Sequence, residues 1–175
     1  MSQRNSGVSW PNFPATPDRY RPAYGVRMIT GMTGNDSWTA NATLANWLAA
    51  QQGAFPAWQA ELGGVWDFTM DSLDRLEEVI RDRFTSYEEI QDVEDSPFVQ
   101  VAYWYFGEVF VRNHDMVWQR RPTDDPSDRP FITAPGDDGL DEDDDRPATA
   151  PDTEIPALFL RDPDNHLRDA LKGWL

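Results

Sequence analysis

Two stretches of the chain carry the clearest hydrophobic pattern. In the first, Leu73, Leu76, Ile80 and Phe84 recur at three- and four-residue spacing, with Val79 beside them, which predicts an amphipathic helix. Asp71 or Ser72 can cap it, and Arg75, Glu77, Glu78, Arg81, Asp82 and Arg83 form its outer face. On that face Asp71 with Arg75 and Glu77 with Arg81 are favourable i,i+4 pairs, worth about 0.2–0.5 kcal/mol each. The second stretch, residues 98–111, is apolar at nearly every position. A helix apolar all round belongs at the centre of a core. The β-branched and aromatic content also permits a strand. Ser96-Pro97 reads as an N-cap followed by proline at the first helical position, which favours the helix. Glu108 and Arg112 are one turn apart on it, and Asn113-His114-Asp115 reads as the turn that ends it.

The remaining elements follow from shorter signals. Leu44, Trp47, Leu48 and Gln51 share one face of a helix predicted over 37–52, capped by Asp36 or Ser37 and stopped by Gly53. A second short helix is predicted over 56–62, with Pro56 in its first turn and Gly63-Gly64 as its stop. Residues 65–68 read as a brief strand or connector, and 88–95 as an acidic loop. Residues 116–119 and 130–133 read as the strands of a hairpin, and 155–160 as a possible third strand. Asp164 would cap a closing helix carrying Leu167, Ala170, Leu171 and Trp174. Residues 1–25 hold Pro11, Pro14, Pro17 and Pro22, which predicts an extended arm rather than a helix. The expected fold class is α+β. Residues 26–175 form a single domain, with a helical layer and a central apolar helix packed on a small antiparallel sheet.

Composition narrows the chemistry. The chain has 175 residues and no Cys, which excludes disulfides, thiol nucleophiles and cysteine-ligated zinc. Aromatic residues make up 13%, so the core should be rich in rings. No stretch approaches the roughly 20 apolar residues of a membrane span. The first ten residues lack the apolar centre of a signal peptide, so no membrane partner and a cytoplasmic location are expected. The net charge is -16, with 31 acids against 15 bases. Duplex binding needs Lys and Arg to displace counterions, so direct nucleic-acid binding is not expected. A basic protein partner is, since complementary fields speed encounter and suppress wrong partners.

The charge is concentrated. Residues 124–145 hold ten acids and one Arg, and the stretch at about 122–150 is expected to be a disordered acidic loop. Asp137, Asp138, Asp141, Glu142, Asp143, Asp144 and Asp145 lack the order of an EF-hand, so they are read as a solvated surface open to a partner and not as a metal site. Trp10 and Trp38 lie near chain or element ends and are candidate partner anchors. Glu108, Arg112 and His114 are candidate buried polar groups. A lone carboxylate among apolar residues needs a partner, and Arg112 is the nearest by spacing. His114 suits a helix C-terminus. Gly107 permits close approach by a ring or helix. No phosphate loop, nucleophile elbow or zinc pair is present, so neither a cofactor nor catalysis is expected.

Trp66-Asp67-Phe68 followed by Ser72-Leu73-Asp74-Arg75-Leu76-Glu77, and Tyr105-Phe106-Gly107-Glu108-Val109 followed by Trp118, form a recurring set. It resembles a group of small bacterial domains of unknown function, common in actinobacteria. The resemblance spans about residues 66–132. It implies an α+β fold and an immunity or accessory role, with no activity attached. The functional expectation is an acidic protein-binding module, an immunity, inhibitor or accessory protein for a basic partner. The alternatives are a structural subunit of a bacterial or phage assembly and a nucleic-acid mimic.

Overall fold

Ser96 starts the central element as its sequence requires: its hydroxyl accepts the N–H of Val99 at 3.4 Å, and Pro97 takes the first helical position. In the computed structural model this helix, α4 (Pro97–His114), ends at Asp115 in the left-handed conformation. The structure describes residues 37–125, 127–136, 139, 145–161 and 166–172. The arm over 1–25 with Trp10, the cap candidates Asp36 and Asp164, most of the acidic run and Trp174 lie outside the described residues.

The order is α1 (Ala42–Leu62), α2 (Ser72–Arg83), α3 (Tyr87–Gln91), α4, β1 (Val117–Gln119), β2 (Phe131–Thr133), β3 (Ala148–Thr149), α5 (Pro151–Ala157) and a 3-10 turn (Leu167–Asp169). The strands form one antiparallel sheet in the order β1-β2-β3, with Trp118 opposite Ile132 and Ile132 opposite Thr149. Helix α4 packs against α1, α2, α5, β1 and β2, and twelve of its eighteen residues are buried. The protein is therefore a single α+β domain, a helical layer around an apolar helix that rests on a small sheet.

Four elements differ from the sequence expectation. Helix α1 begins at Ala42 because Asn41 is the cap: its Oδ1 accepts the Leu44 N–H at 2.8 Å, and its Nδ2 donates to the carbonyls of Ser37 and Arg120. It then runs unbroken through Gly53 and Pro56. Leu44, Leu48, Gln51, Phe55, Trp58 and Leu62 make one stripe at alternating spacings of four and three, and docking that stripe on α4 outweighs local propensity. Residues 87–91 form α3 and not a loop. Ser86 caps it, Glu89 accepts the Thr85 N–H at 2.7 Å, and Ile90 is fully buried. Residues 155–160 are no strand: Pro151 starts α5, which buries Ile155 and Pro156, and the third strand is Ala148–Thr149. Leu167 lies in a 3-10 turn rather than a regular helix.

The aromatic core converges on Tyr105. Its ring lies 4.8 Å from Phe68, 5.1 Å from Trp66 and 5.6 Å from Phe55, centroid to centroid. Its hydroxyl donates to Ser72 Oγ at 2.6 Å and accepts the Phe68 N–H at 3.1 Å. Ser72 Oγ passes the chain on to the carbonyl of Thr69. Phe68 has φ 59°, a left-handed conformation that is strained for a bulky residue. It is held by Tyr105 on its N–H, by Asn113 Nδ2 at 2.7 Å from its carbonyl, and by the Arg112 guanidinium 3.6 Å over its ring.

Tyr105→Phe strands the Phe68 N–H and removes the donor to Ser72 Oγ, so a urea melt should show a loss of about 1–3 kcal/mol with little change in slope. Gly107→Ala should also destabilise. A Cβ there would overlap the six-membered ring of Trp118. The gain in helix propensity, about 0.5–1 kcal/mol, is smaller than the roughly 1–3 kcal/mol typical of overpacking. The same melt, read by Trp fluorescence, checks the sign.

Candidate functional site

Among the described residues, a cleft of about 400 Å³ lies between α2 and the C-terminal turn, lined by Asp74, Glu77, Glu78, Arg81, His166 and Arg168. Helix α2 presents four of the six at helical spacing. Glu77 was expected on its outer face, but its side chain is only 8% exposed. The correction was legible, since Leu73, Leu76, Glu77 and Ile80 share one stripe. Glu77 is fully engaged: Oε1 accepts from Arg81 Nε at 2.9 Å and from His166 Nδ1 at 3.2 Å, and Oε2 accepts the Leu167 N–H at 3.0 Å. Burial alone would raise its pKa, but the Leu167 amide, Arg81 and His166 together hold the carboxyl below its usual value. The Asp71–Arg75 pair expected from spacing does not form. Arg168 reaches both Asp71 at 3.0 Å and Asp74 at 2.5 Å, while Arg75 Nη2 donates to the Gly63 carbonyl at 3.0 Å.

A carboxylate that orients an imidazole is half of a general-base arrangement. Among the described residues that line the cleft there is no hydroxyl or thiol to serve as the other half, and both guanidinium groups already bind carboxylates. The geometry instead ties the C-terminal turn to α2. The tie spans about ninety residues of sequence, which is why spacing alone does not reveal it.

The candidate buried polar groups are held differently from expectation. Glu108 does pair with Arg112, whose Nε and Nη2 both reach Oε2, at 3.1 and 3.0 Å. Its Oε1 accepts from Trp118 Nε1 at 3.0 Å, a partner that spacing did not indicate. Glu108 is only half-buried and Arg112 is exposed, so this is a structural ion pair at the edge of the core. His114 is half-buried in the last turn of α4, its ring 6.0 Å from that of Phe110. Trp38 does not project into solvent. It is half-buried, edge-on to Phe131 at 6.1 Å, with the Arg121 guanidinium 5.6 Å from its ring. These residues, with Asp128 and Arg129, line a second cavity of about 210 Å³. Of the acidic run, Asp145 is described and exposed, and Asp137, Asp138, Asp141, Glu142, Asp143 and Asp144 lie outside the described residues. Among the described residues no cluster of three His, Cys, Asp or Glu side chains is arranged to hold a metal, and no helix is long and apolar enough to cross a membrane.

No protein-family model, curated protein or solved structure matches this chain.

Glu77→Gln should lower stability by about 1.5–3 kcal/mol at neutral pH, because it removes charge-assisted hydrogen bonds from a buried site. The contribution of Glu77 is present above the unfolded pKa of a glutamate, about 4.3, and is lost as pH falls through its depressed folded value. The wild-type and variant melting curves should therefore converge on acidification, which calorimetry between pH 3 and 7 checks.

Proposed function

We propose that this protein is a binding module for a basic protein partner, acting as an inhibitor, immunity or accessory protein. The observation that carries this reading is the asymmetry of its free charge. Every described Lys and Arg side chain is engaged inside the molecule, on a carboxylate or on main-chain carbonyls. Arg83 holds Glu61, Arg129 holds Glu94 and Asp95, Arg161 holds Glu154, and Arg120 and Arg146 hold carbonyls. Even Lys172, on the surface, pairs with Asp169 at 3.2 Å. The acids are not matched in this way. Glu78 and Asp82 on α2, and Glu88 and Asp92 on and after α3, are exposed, and their side chains make no hydrogen bond or ion pair.

The internal pairs consume the positive charge, so the outward field of these helices is negative. A partner meeting it gains by presenting Lys and Arg, and an acidic partner is repelled. The resemblance to small bacterial domains supports the inhibitor or accessory form of this role. Among the described residues that line the cleft there is no hydroxyl or thiol, and its guanidinium groups and Glu77 are taken up by internal pairs, which supports binding over catalysis.

A tagged copy should recover a defined basic protein from its source cell at low salt and release it at high salt. With the two purified proteins, the variant Glu78→Gln, Asp82→Asn, Glu88→Gln, Asp92→Asn should weaken binding roughly tenfold, from four exposed pairs at a few tenths of a kcal/mol each. A salt-resistant assembly of the chain with itself would sink this reading in favour of a structural subunit.

A further inference from the structure

Two buried oxygens between α4 and α5 have no partner. Tyr103 on α4 is 3% exposed, and its hydroxyl makes no hydrogen bond. Asp152 sits in the first turn of α5, and its Oδ1 is buried and equally without a partner. The two are close enough for the charge of one to act on the other. On β3, two residues before α5, Thr149 Oγ1 is buried and unpaired as well. A native fold rarely leaves such groups unpaired, because each unmade hydrogen bond to a buried polar atom costs about 1–3 kcal/mol.

The surroundings do not favour a carboxylate. The charged and titratable groups that act on the pair are Glu94 and Arg129, with Tyr87 of α3 acting on the phenol. Arg129 is the only cation among them, and it is already held by Glu94 at 2.6 Å and by Asp95 at 3.0 Å. Burial raises the Asp152 pKa above the usual aspartate value, and Arg129 and the N–H groups of Asp152 and Thr153 offset this only in part. Burial also raises Tyr103 far above the ordinary phenol value, with the negative charges of Asp152 and Glu94 adding to it, so the phenol remains a neutral donor.

We propose that Asp152 is a proton-operated latch on α5. With one proton bound, its carboxyl is uncharged in the same buried region as Tyr103, and α5 stays closed on α3 and α4. Loss of that proton leaves a charge whose buried Oδ1 has no protein donor, so α5 lifts to admit water to it. The sign follows from linkage: a group whose folded pKa is raised stabilises the closed form fully below its unfolded pKa, about 3.9, and that contribution is lost as pH rises through the folded value. Since α5 covers part of α4, opening uncovers apolar surface of the central helix.

Hydrogen exchange of the 151–157 segment, corrected for the intrinsic pH dependence of exchange, tests this between pH 4 and 8. Wild-type protection should fall as pH rises, roughly tenfold for each pH unit above the folded pKa. Asp152→Asn keeps the shape and cannot ionise, so its protection should stay flat at the wild-type low-pH level. A variant with the same pH dependence as wild type, or one that is unprotected at every pH, overturns the proposal. A carboxyl NMR titration of Asp152 in the wild-type protein supplies the second measurement, independent of the variant's folding. A titration midpoint above the ordinary aspartate range supports the latch, and one within that range removes it.

Discussion

The hydroxyl of Tyr105 joins three elements of the fold at one point. It links α4 to the start of α2 through Ser72, and to the connector through the Phe68 amide. The connector needs this, because Phe68 adopts a backbone conformation that its own side chain disfavours. The surrounding structure must over-determine such a residue, and here it does so from three sides: a phenol on the N–H, an amide on the carbonyl and a guanidinium on the ring. The strained turn reverses the chain between α1 and α2 and brings Trp66 onto Trp58, centroids 4.6 Å apart. The aromatic core is thus assembled around one hydrogen-bonded ring, and the hydrogen-bond chain from Phe68 to Thr69 fixes its register.

Charge is handled in two ways. Positive groups are used internally, as clamps. Arg75 closes the end of α1 by binding the Gly63 carbonyl and lying 5.1 Å from the Trp66 ring. Arg83 lies 3.9 Å over Phe98 while holding Glu61. Long guanidinium side chains suit this work because they cover apolar surface and still reach several acceptors. Negative groups divide. Glu77 and Glu108 are internal acceptors satisfied by several donors, whereas Glu78, Asp82, Glu88 and Asp92 face outward with no side-chain partner. A large net negative charge and a well-paired interior are therefore compatible, because the excess sits where water solvates it.

Several elements were legible because local and global signals agree. Ser96-Pro97 starts α4 as written, the α2 stripe is buried as its spacing requires, and the hairpin strands pair as alternation suggests. The misreadings come from weighing one signal without the other: single residues over the longer stripe in α1, and segment composition over the capping and proline signals in α3 and α5. Gly53 and Pro56 look like a helix break, yet the stripe from Leu44 to Leu62 continues across them. Ser86 caps α3 and Glu89 reaches back to the Thr85 N–H, at the start of a segment whose acidity suggested a loop. Pro151 reads as a helix start once α5 is known, although the apolar run that follows resembles a strand.

The sequence by itself determined the class of this protein: a ring-rich α+β domain with a buried central helix, no cysteine chemistry and a strong negative charge. These properties are set by residue type and by spacing within one element, which a linear reading contains. Tertiary structure alone decided which charges are free. Glu77 meets Leu167 and Glu108 meets Trp118 only after the helices pack, and Asp152 comes within electrostatic reach of Tyr103 in the same way, because the partners come from different elements. Whether a carboxylate acts as an acceptor, a proton store or a free surface charge depends on its desolvation and on nearby donors, and both are properties of the folded chain.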